Sequence, residues 1–178
     1  MLIQARHAAL SAIFAALMMV IAAVPIATSA ASVQRPDPGD IAEGLRLYQQ
    51  KGNCKGCHGW AGDAKRTDSE LPVGANLRET ALTRELLVMT IKCGRPNSQM
   101  PAFDRLAYSD GRCYGKTQAD LRLLPSRMPD PPATLQPREI ELIVDFLLAR
   151  MVGKGPMDHA KCVAFWGSDV EACRDFLR

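Results

Sequence analysis

The chain has 178 residues, with 22 Lys+Arg against 19 Asp+Glu and a formal net charge of +3. Charge this close to balance, with no basic run and no phosphate-cradling glycine loop, argues against nucleic acid and nucleotides as partners. No internal repeat is visible, and beyond the leader described next the length suits one domain.

Residues 1–31 read as a secretory signal peptide. Arg6 and His7 precede an apolar run from Ala8 to Val24, Pro25 breaks it, and Ala27-Thr28-Ser29-Ala30-Ala31 offers small residues for cleavage. An uncleaved anchor is the alternative, because a run of about 17 apolar residues approaches the length that spans a bilayer. Either way the remainder is expected outside the cytoplasm, in the periplasm. Residues 32–39 then form a Pro- and Gly-bearing flexible lead-in.

Gly39-Asp40 starts the first predicted helix, with Asp40 as N-cap and Ile41, Gly44, Leu45, Leu47 and Tyr48 on its apolar face. Cys54-Lys55-Gly56-Cys57-His58 follows, the spacing of a c-type haem attachment site. Two cysteines three apart at a helix start share a face, so both thiols can add to the two vinyl groups of one porphyrin. His58 then falls beneath the ring, where its imidazole can be the proximal iron ligand. A thioredoxin-type pair would need an alternating strand–helix pattern, which is missing. A zinc site would need a second pair of ligands, and no other C-x-x-C or H-x-x-x-H exists.

Thr83 to Lys92 is a further helix, with Thr83 as its cap, Leu86, Leu87, Thr90 and Ile91 facing inward, and Cys93-Gly94 as its end. The sixth iron ligand must come from a short stock. Of three histidines, His7 lies in the signal and His58 in the motif, leaving His159. Met100 precedes a proline on a loop between two helices and is the favoured ligand. Met128-Pro129, His159 and an open position remain as alternatives. Asp104 to Thr134 reads as a loop-rich insertion with one short helix at Gln118 to Leu124. Pro137 to Met151 is a core helix. Ile140, Ile143, Val144, Leu147, Leu148 and Met151 form its stripe, and Arg138, Glu139, Glu141, Asp145 and Arg150 line the other face.

These segments together resemble a class I c-type cytochrome. The resemblance rests on Gly44-x-x-Leu47-Tyr48, Cys54-x-x-Cys57-His58-Gly59, Gly74-Ala75-Asn76-Leu77, Met100-Pro101-Ala102-Phe103 and the helix from Pro137, and spans 40–151. It implies an all-α fold of three to five helices around one covalent haem c held by Cys54 and Cys57. It also implies His58 and Met100 as iron ligands, and a crossing of first and last helices at Gly44 and Phe146. Such an iron is saturated, so the expected role is an electron carrier and not an enzyme. The expected donor is a periplasmic dehydrogenase, the acceptor an oxidase or another cytochrome, and the protein a monomer. The insertion and tail are similar to those of cytochromes serving quinoprotein alcohol dehydrogenases. Alternatives are a haem subunit of a stable dehydrogenase complex, or a haem enzyme or gas sensor with an open iron site.

The chain departs from the family in three places. Ala75 stands where many relatives have a proline, in the region that supplies a carbonyl to the proximal histidine, so Pro72 and the backbone near Gly74 compete for that role. The insertion, 104–134, separates the methionine loop from the last helix. An extension, 152–178, follows, in which Phe165 and Trp166 either pack on the domain or form a partner patch. Four cysteines remain beyond the haem pair. Of three possible pairings, Cys93–Cys113 and Cys162–Cys173 close the shortest loops and are expected; free thiols are the alternative. Lys92, Arg95, Arg105, Arg112 and Lys116 are candidates for a basic rim around the methionine loop.

Overall fold

The computed structural model describes residues 36–177, so the expected signal and the first half of the lead-in lie outside the described residues. The described residues are all-helical: six α-helices and one 3-10 helix, with a single isolated bridge between Cys113 and Lys116.

Helix α1 runs Pro38–Gln49, its cap three residues earlier than expected. Asp37, not Asp40, is the cap, its carboxylate accepting the Gly39 N–H at 2.7 Å. Pro38 fits the first helical position because its missing N–H would go unpaired there anyway. The expected lead-in therefore ends inside the helix.

Helix α2 is the short Cys54–His58 turn, and α3 spans Arg84–Cys93 with Thr83 capping the Leu86 N–H at 3.4 Å. Helix α4, Gln118–Arg122, sits in the insertion. There the Asp120 carboxylate accepts from both the Thr117 N–H and its hydroxyl, at 2.7 and 2.8 Å. Helix α5 spans Pro137–Arg150, and Glu139 folds back to accept the Gln136 N–H at 2.8 Å.

The main packing is α1 across α5. At the crossing, a Cβ on Gly44 would run into the Leu142 carbonyl and come within 2.8 Å of Phe146 Cβ, so the two backbones touch. Tyr48 and Phe146 pack beside it, their rings tilted at 54° with centroids 5.5 Å apart. Leu47, Ile140, Ile143, Val144, Leu147 and Met151 fill the surrounding core. Each such side chain contributes about 1.5–3 kcal/mol by leaving water.

Two expected faces are corrected. Asp145, assigned to the polar side of α5, is buried, because α3 packs over it and Arg84 bonds both Asp145 and, at 2.7 Å, Glu141. A charge can be buried there because the guanidinium neutralises it. Leu86, assigned inward, is 51% exposed, while Leu87 and Ile91 carry the buried face of α3.

The insertion closes at its base where the Leu135 N–H meets the Phe103 carbonyl at 2.9 Å. It builds a small second cluster from Cys93, Ala107, Tyr108 and Cys113, with Met89 and Met128 against it. The disulfides are Cys93–Cys113 and Cys162–Cys173, as the loop lengths suggested. The second staples helix α6, His159–Trp166, to a 3-10 helix at Glu171–Phe176.

This tail lies against the residues that follow the C-x-x-C-H turn. Trp60 is surrounded by Phe165, Trp166 and Phe176, at centroid distances of 5.4, 5.3 and 6.3 Å. Arg78, 2% exposed, donates to the carbonyls of Gly155 at 2.5 Å, Ala61 at 3.3 Å and Arg150 at 3.4 Å. One buried side chain thus ties the start of the tail to the loop after the motif.

Candidate haem site

The C-x-x-C-H turn is set by its flanks. Asn53 takes a left-handed conformation, with φ of 45°, just before Cys54, and the Gly52 N–H bonds back to the Leu47 carbonyl at 2.8 Å. Behind the turn, Gly59 has φ of 79°, and its carbonyl accepts the Tyr48 hydroxyl at 2.7 Å. The motif is therefore pinned to the α1–α5 core at both ends.

Cys54 and Cys57 are free, half-buried thiols, while the other four cysteines are bridged. Burial pushes the Cys54 thiol up to about 12 and raises Cys57 as well. Both therefore stay protonated rather than acting as thiolate nucleophiles at neutral pH.

His58 is oriented by the backbone that passes over it. Its Nδ1 lies 2.8 Å from the Ala75 carbonyl, and the Gly74 N–H bonds the Cys57 carbonyl at 2.9 Å. Donation from Nδ1 leaves Nε2 with the free lone pair, the form that binds a metal. Burial holds His58 below its usual range, keeping the imidazole neutral; the Ala75 carbonyl opposes that shift and Arg95 adds to it. Gly74 is needed for this approach: a Cβ there would sit 2.7 Å from Nδ1. The partner left undecided between Pro72 and the Gly74 region is thus the carbonyl of Ala75, the very residue that departs from the family's proline.

Met100 is half-buried and packs on the principal cluster, as do Cys54 and Leu77. Met128 belongs to the second cluster, and His159 lies in the tail with its Nε2 3.2 Å from Asp169. The structure therefore gathers Cys54 and Met100 on one core and keeps the two rivals off it. The loop carrying Met100 is tightly closed. Its first residue, Gly94, has φ of 62°, and a Cβ there would lie 2.6 Å from the Met100 carbonyl. The Arg95 N–H reaches that same carbonyl at 3.1 Å, and the Met100 N–H bonds the Ser98 hydroxyl at 3.2 Å.

Two tyrosines that sequence reasoning did not single out complete the loop. The carbonyls at the end of α3 lack intrahelical donors. Here Ile91 receives the Phe103 N–H at 3.1 Å, and Lys92 the Asp104 N–H at 3.0 Å. Cys93 receives the Tyr108 hydroxyl at 2.5 Å, and Gly94 the Tyr114 hydroxyl at 2.9 Å. No local pattern announces a donor 15 or 20 residues away; only the even cysteine count hinted that the insertion returns to this point.

The expected basic rim is partly spent internally. Lys92 faces Asp104 at 3.8 Å, and Arg112 pairs with Asp110 at 2.6 Å. Arg95, Arg105 and Lys116 make no ion pair among the described residues.

The donor set fits a covalent haem: two unpaired thiols on one turn, an imidazole with Nδ1 engaged, and a thioether on the same core. Cys54 and Cys57 would carry the thioether bonds and His58 the proximal position. Among known proteins, residues 39–112 match the family model described as cytochrome c oxidase, cbb3-type, subunit III. No curated protein and no solved structure matches the chain.

Proposed function

We propose that this chain is a monohaem shuttle with His58 and Met100 as iron ligands, a reading supported by the cytochrome family match over residues 39–112 and by the covalent haem and electron-carrier role of c-type cytochromes. When bound, the haem supplies one-electron chemistry between Fe(II) and Fe(III). A thioether ligand from Met100 would favour the reduced state and leave no place for a substrate. The observation that carries this reading is the placement of Met100 on the same core as Cys54, with Met128 and His159 elsewhere.

We place the carrier in the periplasm, taking electrons from a dehydrogenase, of the quinoprotein alcohol dehydrogenase kind by resemblance, and passing them to an oxidase or another cytochrome. The signal expected at 1–31 and two disulfides suit an oxidising compartment. The test is a spectrum and redox titration of the purified protein beside Met100→Ala. The near-infrared sulfur-to-iron band should be present in the parent and absent in the variant, whose midpoint should fall. A variant with unchanged band and midpoint would overturn the ligand assignment.

A second reading is favoured by two observations: the matched family is named for a subunit of an oxidase, and Trp166 and Leu177 are 37% and 64% exposed on the tail. In that reading the chain is the haem subunit of a stable oxidoreductase complex. Purification of the native protein with a larger redox subunit at fixed ratio would establish it; recovery as a monomer would exclude it.

A further inference from the structure

Beside the methionine loop, the insertion encloses an open groove of about 730 Å³ that starts at Ala102, two residues after Met100. Tyr108 and Met128 contribute apolar floor, and Arg105, Arg122 and Arg127 stand around it. All three arginines are exposed, and none makes an ion pair or a side-chain hydrogen bond among the described residues. Two carboxylates share the lining. Asp104 is already engaged, accepting the Leu106 N–H at 2.8 Å and facing Lys92. That leaves Asp130 against three cations.

With Tyr108, Met128 and three arginines and no lysine, the remaining surface matches protein interfaces, where arginine, methionine and aromatic side chains are enriched and lysine is depleted. Leu106 and Leu123, 43% and 84% exposed, extend the apolar area on the same segment. The groove is also fixed relative to Met100. Its Tyr108 holds the Cys93 carbonyl, and the N–H of Ser126, another lining residue, donates to Asn97 of the methionine loop at 3.0 Å. A wall braced in this way loses little freedom on binding.

From this clustering of unpaired arginines over apolar floor, next to the loop that bears Met100, we propose that the groove seats an acidic, leucine-bearing segment of the redox partner protein. The proposal rests on the carrier reading above and adds where the partner docks and what chemistry its docking segment carries. Arginine forks bind carboxylates in pairs, and the floor takes the aliphatic side chains between them.

The test uses the full-length, haem-loaded protein in two arms. In the first, a peptide of alternating Glu and Leu is titrated by amide NMR, beside a Lys-for-Glu control peptide and inorganic phosphate. The expected result is shifts confined to the groove and its flanks, weakening with salt, and at least about tenfold loss of affinity in Arg105→Gln/Arg122→Gln/Arg127→Gln. Equal binding to that triple variant, or shifts elsewhere, would overturn the proposal. So would phosphate binding as tightly as the peptide, which would make the groove a small-anion site. In the second arm, oxidation by hexacyanoferrate(III) is followed for both proteins. If electrons still pass while the peptide fails to bind, the carrier reading stands and the docking proposal falls; if the Met–iron band is absent, the carrier reading itself fails.

Discussion

The Tyr114 hydroxyl donates to the Gly94 carbonyl at 2.9 Å, so a residue of the insertion caps the end of α3, where the methionine loop begins. Tyr108 does the same for Cys93, and the Cys93–Cys113 disulfide ties the helix end to the insertion covalently at the same point. The insertion is therefore a brace on the segment carrying Met100, beyond any role as surface decoration.

Tyr108→Phe should cost about 1–3 kcal/mol, because it leaves the Cys93 carbonyl without its donor in a buried setting. Tyr114→Phe, on a residue 46% exposed, should cost less, since water can replace the hydroxyl. Both should lower the pH at which the sulfur-to-iron band is lost, Tyr108→Phe more. Denaturation midpoints and a pH titration of that band check this; unchanged curves for Tyr108→Phe would remove the brace.

Reducing Cys93–Cys113 opens a loop with a sequence separation of 20. Closing a loop of this size contributes on the order of 3 kcal/mol. Selective reduction should loosen the methionine and weaken the same band. A band that survives, with both thiols shown to be free, would mean that the hydrogen bonds alone suffice.

Gly74→Ala places a Cβ against the His58 ring and should displace the Ala75 carbonyl from Nδ1. An imidazole without that acceptor is a weaker donor, which destabilises Fe(III) more than Fe(II). The reduction potential should therefore rise, with a shift in the histidine ring resonances. A constant potential would show that the Ala75 bond does not tune the ligand.

Gly44→Ala drives a methyl into the Leu142 carbonyl, a backbone atom that cannot rotate aside. Over-packing of this kind costs about 1–3 kcal/mol, so the urea midpoint should fall with the haem spectrum of the folded state retained. A midpoint equal to that of the parent would mean that the helices separate without penalty.

Trp60→Ala removes the aromatic floor on which Phe165, Trp166 and Phe176 rest. Aromatic pairs contribute about 0.5–1.5 kcal/mol each beyond area, so the tail should loosen. Limited proteolysis should cut within 152–177 several times faster. An unchanged cleavage rate would assign the tail's attachment to Arg78 instead.

The parts legible in the sequence were those whose chemistry is local. Cys54, Cys57 and His58 stand out by spacing alone, the stripe of α5 by its period, and the disulfides by the short loops they close. What only the tertiary structure decided involves partners distant along the chain. Asp145 is buried because α3 brings Arg84 to it, and the imidazole of His58 is set by the carbonyl of Ala75, which any residue type could supply. Tyr108 and Tyr114 matter because the insertion folds back on α3, and Trp60 because the tail returns to the motif. Periodicity and spacing report which way a side chain points from its own element; which group it meets depends on how separate elements pack, and no local pattern carries that information.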